Sequence, residues 1–106
     1  MFVEIKNFVF DIDKATHCLL GRDFVKIYSR QYRNSITDGS IKIENCNYLY
    51  DKICEIFTAN GFVKIREQDR FWLINKRLIN SFETDNGSYY FTLGNEALPL
   101  FIKANS

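Results

Sequence analysis

The chain has 106 residues and a formal net charge of +1. That length fits one domain, and the near-neutral balance argues against a polybasic coat for nucleic acid or an anionic membrane, so any phosphate contact has to come from a local patch. Hydrophobic residues make up 46% and aromatic residues 16%, ample material for a core.

Three further features bound the class. No apolar run is long enough to cross a bilayer. The opening residues MFVEIKNFVF interleave their charges, unlike a signal peptide's basic-then-apolar order. The three cysteines, Cys18, Cys46 and Cys54, form no CxxC spacing. An odd cysteine count suits reduced thiols, and the expectation is a cytoplasmic protein.

In chain order, Phe2 to Asn7 and Phe8 to Ile12 open as two strands, the second with Phe8, Phe10 and Ile12 alternating. Cys18-Leu19-Leu20 is a short apolar run ended by Gly21. Phe24 to Arg30 alternates again, and Tyr32 to Ser40 is polar with the turn pair Asp38-Gly39. Ile41 to Ile43 resumes a strand. Leu49, Ile53, Ile56 and Phe57 then fall at helical spacing, with Asn45 or Asn47 to cap the start and Asn60-Gly61 to end it. Strands follow over Phe62 to Arg66, Phe71 to Asn75, Leu78 to Glu83, Ser88 to Leu93 and Leu98 to Ile102. Asp85-Asn86-Gly87 and Gly94-Asn95 are the turns between the last three, and the sequon Asn86-Gly87-Ser88 reads as part of a turn. The fold class expected is mostly β (α+β), with antiparallel strands around one central helix and no repeat or linker.

Catalytic and metal chemistry find little support. Asp11-Ile12-Asp13 could hold a divalent ion, but Lys14 follows at once and would compete with it, so a solvated turn is the better reading. His17 is the one histidine. His17 and Cys18 cannot complete a tetrahedral zinc site, and Cys46 and Cys54 lie eight residues apart. No enzyme, cofactor or metal is expected.

Two stretches are locally basic. From Gly61 to Asn80, five basic residues meet two acids, with the charged segment Arg66-Glu67-Gln68-Asp69-Arg70 between two apolar runs. Basic side chains lifted on such a loop can reach phosphates and base edges. From Arg22 to Arg33, Lys26, Tyr28, Arg30 and Tyr32 share one face of an extended strand, where they can grip phosphate and stack on bases.

The order of these elements resembles the LytTR DNA-binding domain, the output module of many bacterial response regulators. Gly21-Arg22-Asp23-Phe24-Val25-Lys26-Ile27-Tyr28 is similar to the family's "G-N-Y-V-x-I" strand, and Asn47 to Thr58 looks like its helix. Phe62-Val63-Lys64-Ile65 and Trp72-Leu73-Ile74-Asn75 open and close a run like its "F-x-R-I-H-R-S-Y-x-V-N". Phe91 to Leu100 resembles its final hairpin up to Pro99. In place of the family's His-Arg-Ser stand Arg66 to Arg70, and in place of its final Ser-Arg stand Phe101-Ile102 beside Lys103.

The resemblance implies one LytTR-like domain over residues 1–106 without a receiver domain. It implies a standalone regulator that lays loops along double-stranded DNA, with two copies on a repeated site. Arg22, Lys26, Arg66, Gln68, Arg70 and Lys103 are the expected contacts, Arg reading guanine and Gln adenine. Glu67 and Asp69 would repel phosphate unless they point away or pair with Arg66 and Arg70. The alternative is a protein-interaction module, or a small phage- or plasmid-type inhibitor on a similar scaffold, gripping a partner through Phe71, Trp72, Tyr89 and Tyr90.

Overall fold

The computed structural model describes residues 1–29, 39–94 and 100–103. Arg30 and Tyr32 of the second basic stretch lie outside these, as do Arg33, Asp38, Asn95 and Pro99. The fold is mostly β, with antiparallel sheets and one α-helix among the described residues.

Strands β1 (Phe2–Ile5) and β2 (Phe8–Asp11) form a hairpin. Strands β3 (Ala15–Leu20), β4 (Phe24–Ser29), β5 (Ser40–Glu44), β6 (Phe62–Glu67) and β7 (Arg70–Asn75) form the central sheet in the order β5-β4-β3-β7-β6. Helix α1 (Tyr50–Ala59) connects β5 to β6. Strands β8 (Ile79–Asp85), β9 (Ser88–Leu93) and β10 (Leu100–Lys103) form a third sheet in the order β10-β9-β8.

The central sheet is covered on both faces. Cys18, Leu20, Val25, Ile27, Phe62 and Leu73 point to one face and pack against Ile53 and Phe57 of α1 and Ile5 and Phe10 of the hairpin. Phe57 is the pivot, with Phe62 edge-on at 4.9 Å and Phe10 stacked at 6.0 Å. On the other face Leu19, Trp72 and Ile74 pack against Phe91, Leu93 and Ile102 of the third sheet. Burying each such aliphatic or aromatic side chain contributes about 1.5–3 kcal/mol.

Two-sided burial explains why β3 is longer than its apolar run suggests. Ala15 and Thr16 are buried, so the strand starts three residues before Cys18 without any polar alternation to announce it. Asn75, fully buried at the end of β7, ties the sheet together. Its Nδ2 donates to Ala15 O at 2.9 Å, and its Oδ1 accepts from Arg77 N at 3.1 Å.

The helix follows the expected spacing, but its start does not. Neither Asn45 nor Asn47 caps it. Leu49 holds the cap position without a side-chain hydrogen bond, after a 3-10 turn over Asn47–Leu49. Asn45 instead takes a left-handed φ of 57°, a conformation its short polar side chain tolerates. The exit is as expected, with Asn60 at the C-cap and Gly61 at φ 85°. The β8–β9 connection is likewise the expected Asn86-Gly87 turn, both residues at positive φ.

Candidate nucleic-acid interface at one end of the central sheet

Strand pairing gathers three separate chain segments at one end. Leu20 at the end of β3 is registered with Phe71 at the start of β7, so the β3–β4 turn and the β6–β7 turn are neighbours. The first turn carries Arg22 and is closed by Gly21 N donating to Phe24 O at 3.0 Å. The third segment is the end of β10, where Lys103 N donates to Glu67 Oε2 at 2.8 Å. Arg22, Gln68 and Lys103 are all exposed there.

The five-residue charged loop expected over Arg66 to Arg70 is not present. Glu67 pairs with Arg70 in register, and the connection is a two-residue turn, Gln68-Asp69, with Gln68 at φ 58°. Arg66 and Arg70 therefore belong to strands, and alternation sends them to opposite faces. Arg66 folds back so that its Nε donates to Gln68 O at 2.8 Å. Arg70 donates from Nε (3.1 Å) and from its terminal NH2 (2.7 Å) to Glu67 Oε1. The two guanidinium groups bracket the turn, one on each side.

Glu67 meets the condition set for it in the sequence, pairing with Arg70 and pointing away from solvent. It is 8% exposed, turned inward, and also accepts the Trp72 indole N–H at 3.1 Å. Burial pushes its carboxyl upward, but the hydrogen bonds from the Lys103 amide, the Trp72 indole and Arg70 outweigh it and hold it below the ordinary range. Its charge is thus engaged within the protein, whereas Asp69 remains exposed on the turn. A carboxylate buried in a strand of alternating side chains has no signature in one sequence.

Lys26 stands one side-chain step further along β4, on the same face as Trp72, with its ammonium 5.5 Å from the Tyr28 ring. Tyr28 stacks on His17 at 4.2 Å, and His17 Nδ1 lies 2.8 Å from Thr16 Oγ1. Of the aromatics named as protein-binding anchors, Trp72 is buried, Phe71 and Tyr89 are half-buried, and Tyr90 is exposed.

Other candidate chemistry is taken up by structure. Asp11 caps the 3-10 turn that follows β2, accepting from Asp13 N at 3.1 Å. Asp13 pairs with the Arg77 guanidinium at 2.9 Å. Cys18, Cys46 and Cys54 are free thiols, and burial pushes the Cys18 thiol well up. Among the described residues, no three His, Cys, Asp or Glu side chains cluster as a metal site, and no helix is long and apolar enough to cross a membrane.

No family model, curated protein or solved structure matches this chain.

Proposed function

We propose that this chain is a cytoplasmic, non-catalytic transcription regulator of LytTR type that contacts double-stranded DNA with the end of its central sheet. The observation that supports this reading is the convergence of Arg22, the Arg66/Arg70-bracketed turn and Lys103 on that end. Those are the three regions the family resemblance implies as DNA contacts. The inward turn of Glu67 removes one of the two acids that would oppose phosphate there. Arg66 uses only its Nε on Gln68, which leaves the other guanidinium donors for phosphate or a guanine edge.

The test is binding to duplex DNA across a salt series. Phosphate contacts make affinity fall steeply with salt, by a log–log slope of about −0.9 per contact. Arg22→Ala and Arg66→Ala should each weaken binding and reduce the slope by about one contact. Arg77→Ala, at the opposite end of β7 and paired with Asp13, should leave the slope unchanged. Absence of binding at low salt, or equal loss from all three variants, would remove DNA from the reading.

The protein-interaction alternative has one observation in its favour. Tyr90 and Phe101 pair at 4.9 Å on the outer face of the third sheet, 38% and 48% exposed, beside Glu83. It becomes the working reading if DNA binding fails and Tyr90→Ser/Phe101→Ser abolishes capture of a partner that retains wild type.

A further inference from the structure

A groove of about 510 Å³ opens between β6 and the β8–β9 pair. Among the described residues, β6 and β8 are each the last strand of their sheet. Val63 and Ile65 of β6, Ile79 and Phe82 of β8, and Tyr89 and Phe91 of β9 line it. Val63 is 37% and Phe82 56% exposed, although Phe82 stacks on Phe91 at 5.6 Å. Groups of this size left open to water around a concavity suit a ligand rather than solvent.

One charged residue lines the groove, the exposed Lys76. Its backbone N–H donates to Gly61 O at 3.0 Å, which fixes the residue at the end of the groove where β6 begins. Among the described residues, the carboxylates that form ion pairs take other cations and none takes Lys76.

We infer that this groove binds an amphipathic monocarboxylate, with its acyl or aromatic body between β6 and β8–β9 and its carboxylate at Lys76. The volume lies within the range of small-molecule sites, about 300–1,000 Å³. An apolar lining recognises the body by area, and a lone cation at one end selects an anionic head over a neutral or cationic one. This site is separate from the DNA-contacting end and does not depend on that function.

The experiment titrates the full chain with decanoate below its micelle concentration, beside decanol and decyltrimethylammonium as ligands with the same body. Two readouts are available. Trp72, the one tryptophan, is the cross-strand partner of Ile65 in the groove wall, so its emission reports occupancy. Amide shifts of Val63, Ile65 and Phe82 report it independently. Saturable binding is expected, with decanoate about threefold to fivefold tighter than decanol and the ammonium weakest. Lys76→Met should erase the preference for carboxylate while decanol affinity holds. Phe82→Ala, at an exposed position, should weaken all three ligands. No saturable shift in either readout, equal affinity for the three heads, or a carboxylate preference that survives Lys76→Met would each overturn the inference. Binding of an extended apolar peptide along the β6 edge with no response to decanoate would also overturn it.

Discussion

Replacing Glu67 with glutamine keeps the side chain's size and removes its charge, which isolates the value of the carboxylate at the sheet end. Glu67 Oε1 accepts from Arg70 twice and from the Trp72 indole, and Oε2 accepts from Lys103 N. A glutamine supplies one acceptor oxygen and one NH2 group. With the oxygen toward Arg70 and Trp72, the NH2 faces the Lys103 amide. With the amide flipped, the NH2 faces the guanidinium and the indole. Either way donor meets donor, and at least one buried N–H loses its partner, which costs about 1–3 kcal/mol. Arg70 is 42% exposed, so water replaces much of what its ion pair contributes, and little is added for that part. The expected loss is about 2 kcal/mol. Urea unfolding followed by the emission of Trp72 measures it at the altered site, and for a domain of this size each kcal/mol corresponds to roughly 4–8 °C in Tm. A Glu67→Gln midpoint within about 0.5 kcal/mol of wild type, with unchanged native emission, would refute this account of the carboxylate.

The same carboxylate sets an acid response. Its folded-state pKa is depressed below 4.5, so its stabilisation is present above that pH and is lost as pH falls through the folded value. The gap between wild type and Glu67→Gln should therefore narrow below about pH 4.5, and a constant gap down to pH 2 in acid unfolding would contradict this. Gln68→Gly relieves the left-handed φ at the turn and should raise stability by about 0.5 kcal/mol after the added freedom of the unfolded chain is set against it, as read from the urea midpoint; a loss of stability would show that the Gln68 side chain has a structural role. Asn75→Ala leaves the Ala15 carbonyl and the Arg77 amide without their partner and should cost about 2–3 kcal/mol by thermal unfolding, and a cost below 0.5 kcal/mol would mean that water replaces it.

Local patterns carried much of the fold. Helix α1 was legible because Leu49, Ile53, Ile56 and Phe57 repeat on one face, and the Asn86-Gly87 turn because few residue pairs accept two positive φ angles. Strand β9 matched its expected limits, Ser88 to Leu93, since its inward Phe91 and Leu93 alternate with polar neighbours. Failures came where tertiary context decides. Ala15, Thr16 and His17 look like a connection, yet they continue a strand buried between two layers. The charges of Arg66, Glu67 and Arg70 look like a loop tip, yet Glu67 is buried and its neighbours are strand residues. Of the residues expected to meet DNA, Arg22 and Gln68 become neighbours only because β3 lies beside β7, and no local pattern reports that pairing. The groove between β6 and β8 was invisible for the same reason, since Val63, Ile65 and Phe82 read as ordinary strand positions.

The Asn75–Ala15 hydrogen bond joins residues 60 apart in sequence, and β3 cannot complete its pairing until β7 has formed. Closing so long a loop precedes any reward from the contacts it creates, which slows folding to the millisecond-to-second range typical of non-local β topologies. A β3–β4 hairpin formed before then would leave its apolar residues, Cys18, Leu20, Val25 and Ile27 among them, with neither layer to cover them. The apolar surface of β3 that is shielded between two layers in the finished protein is therefore the same surface that would invite aggregation if it were exposed during assembly.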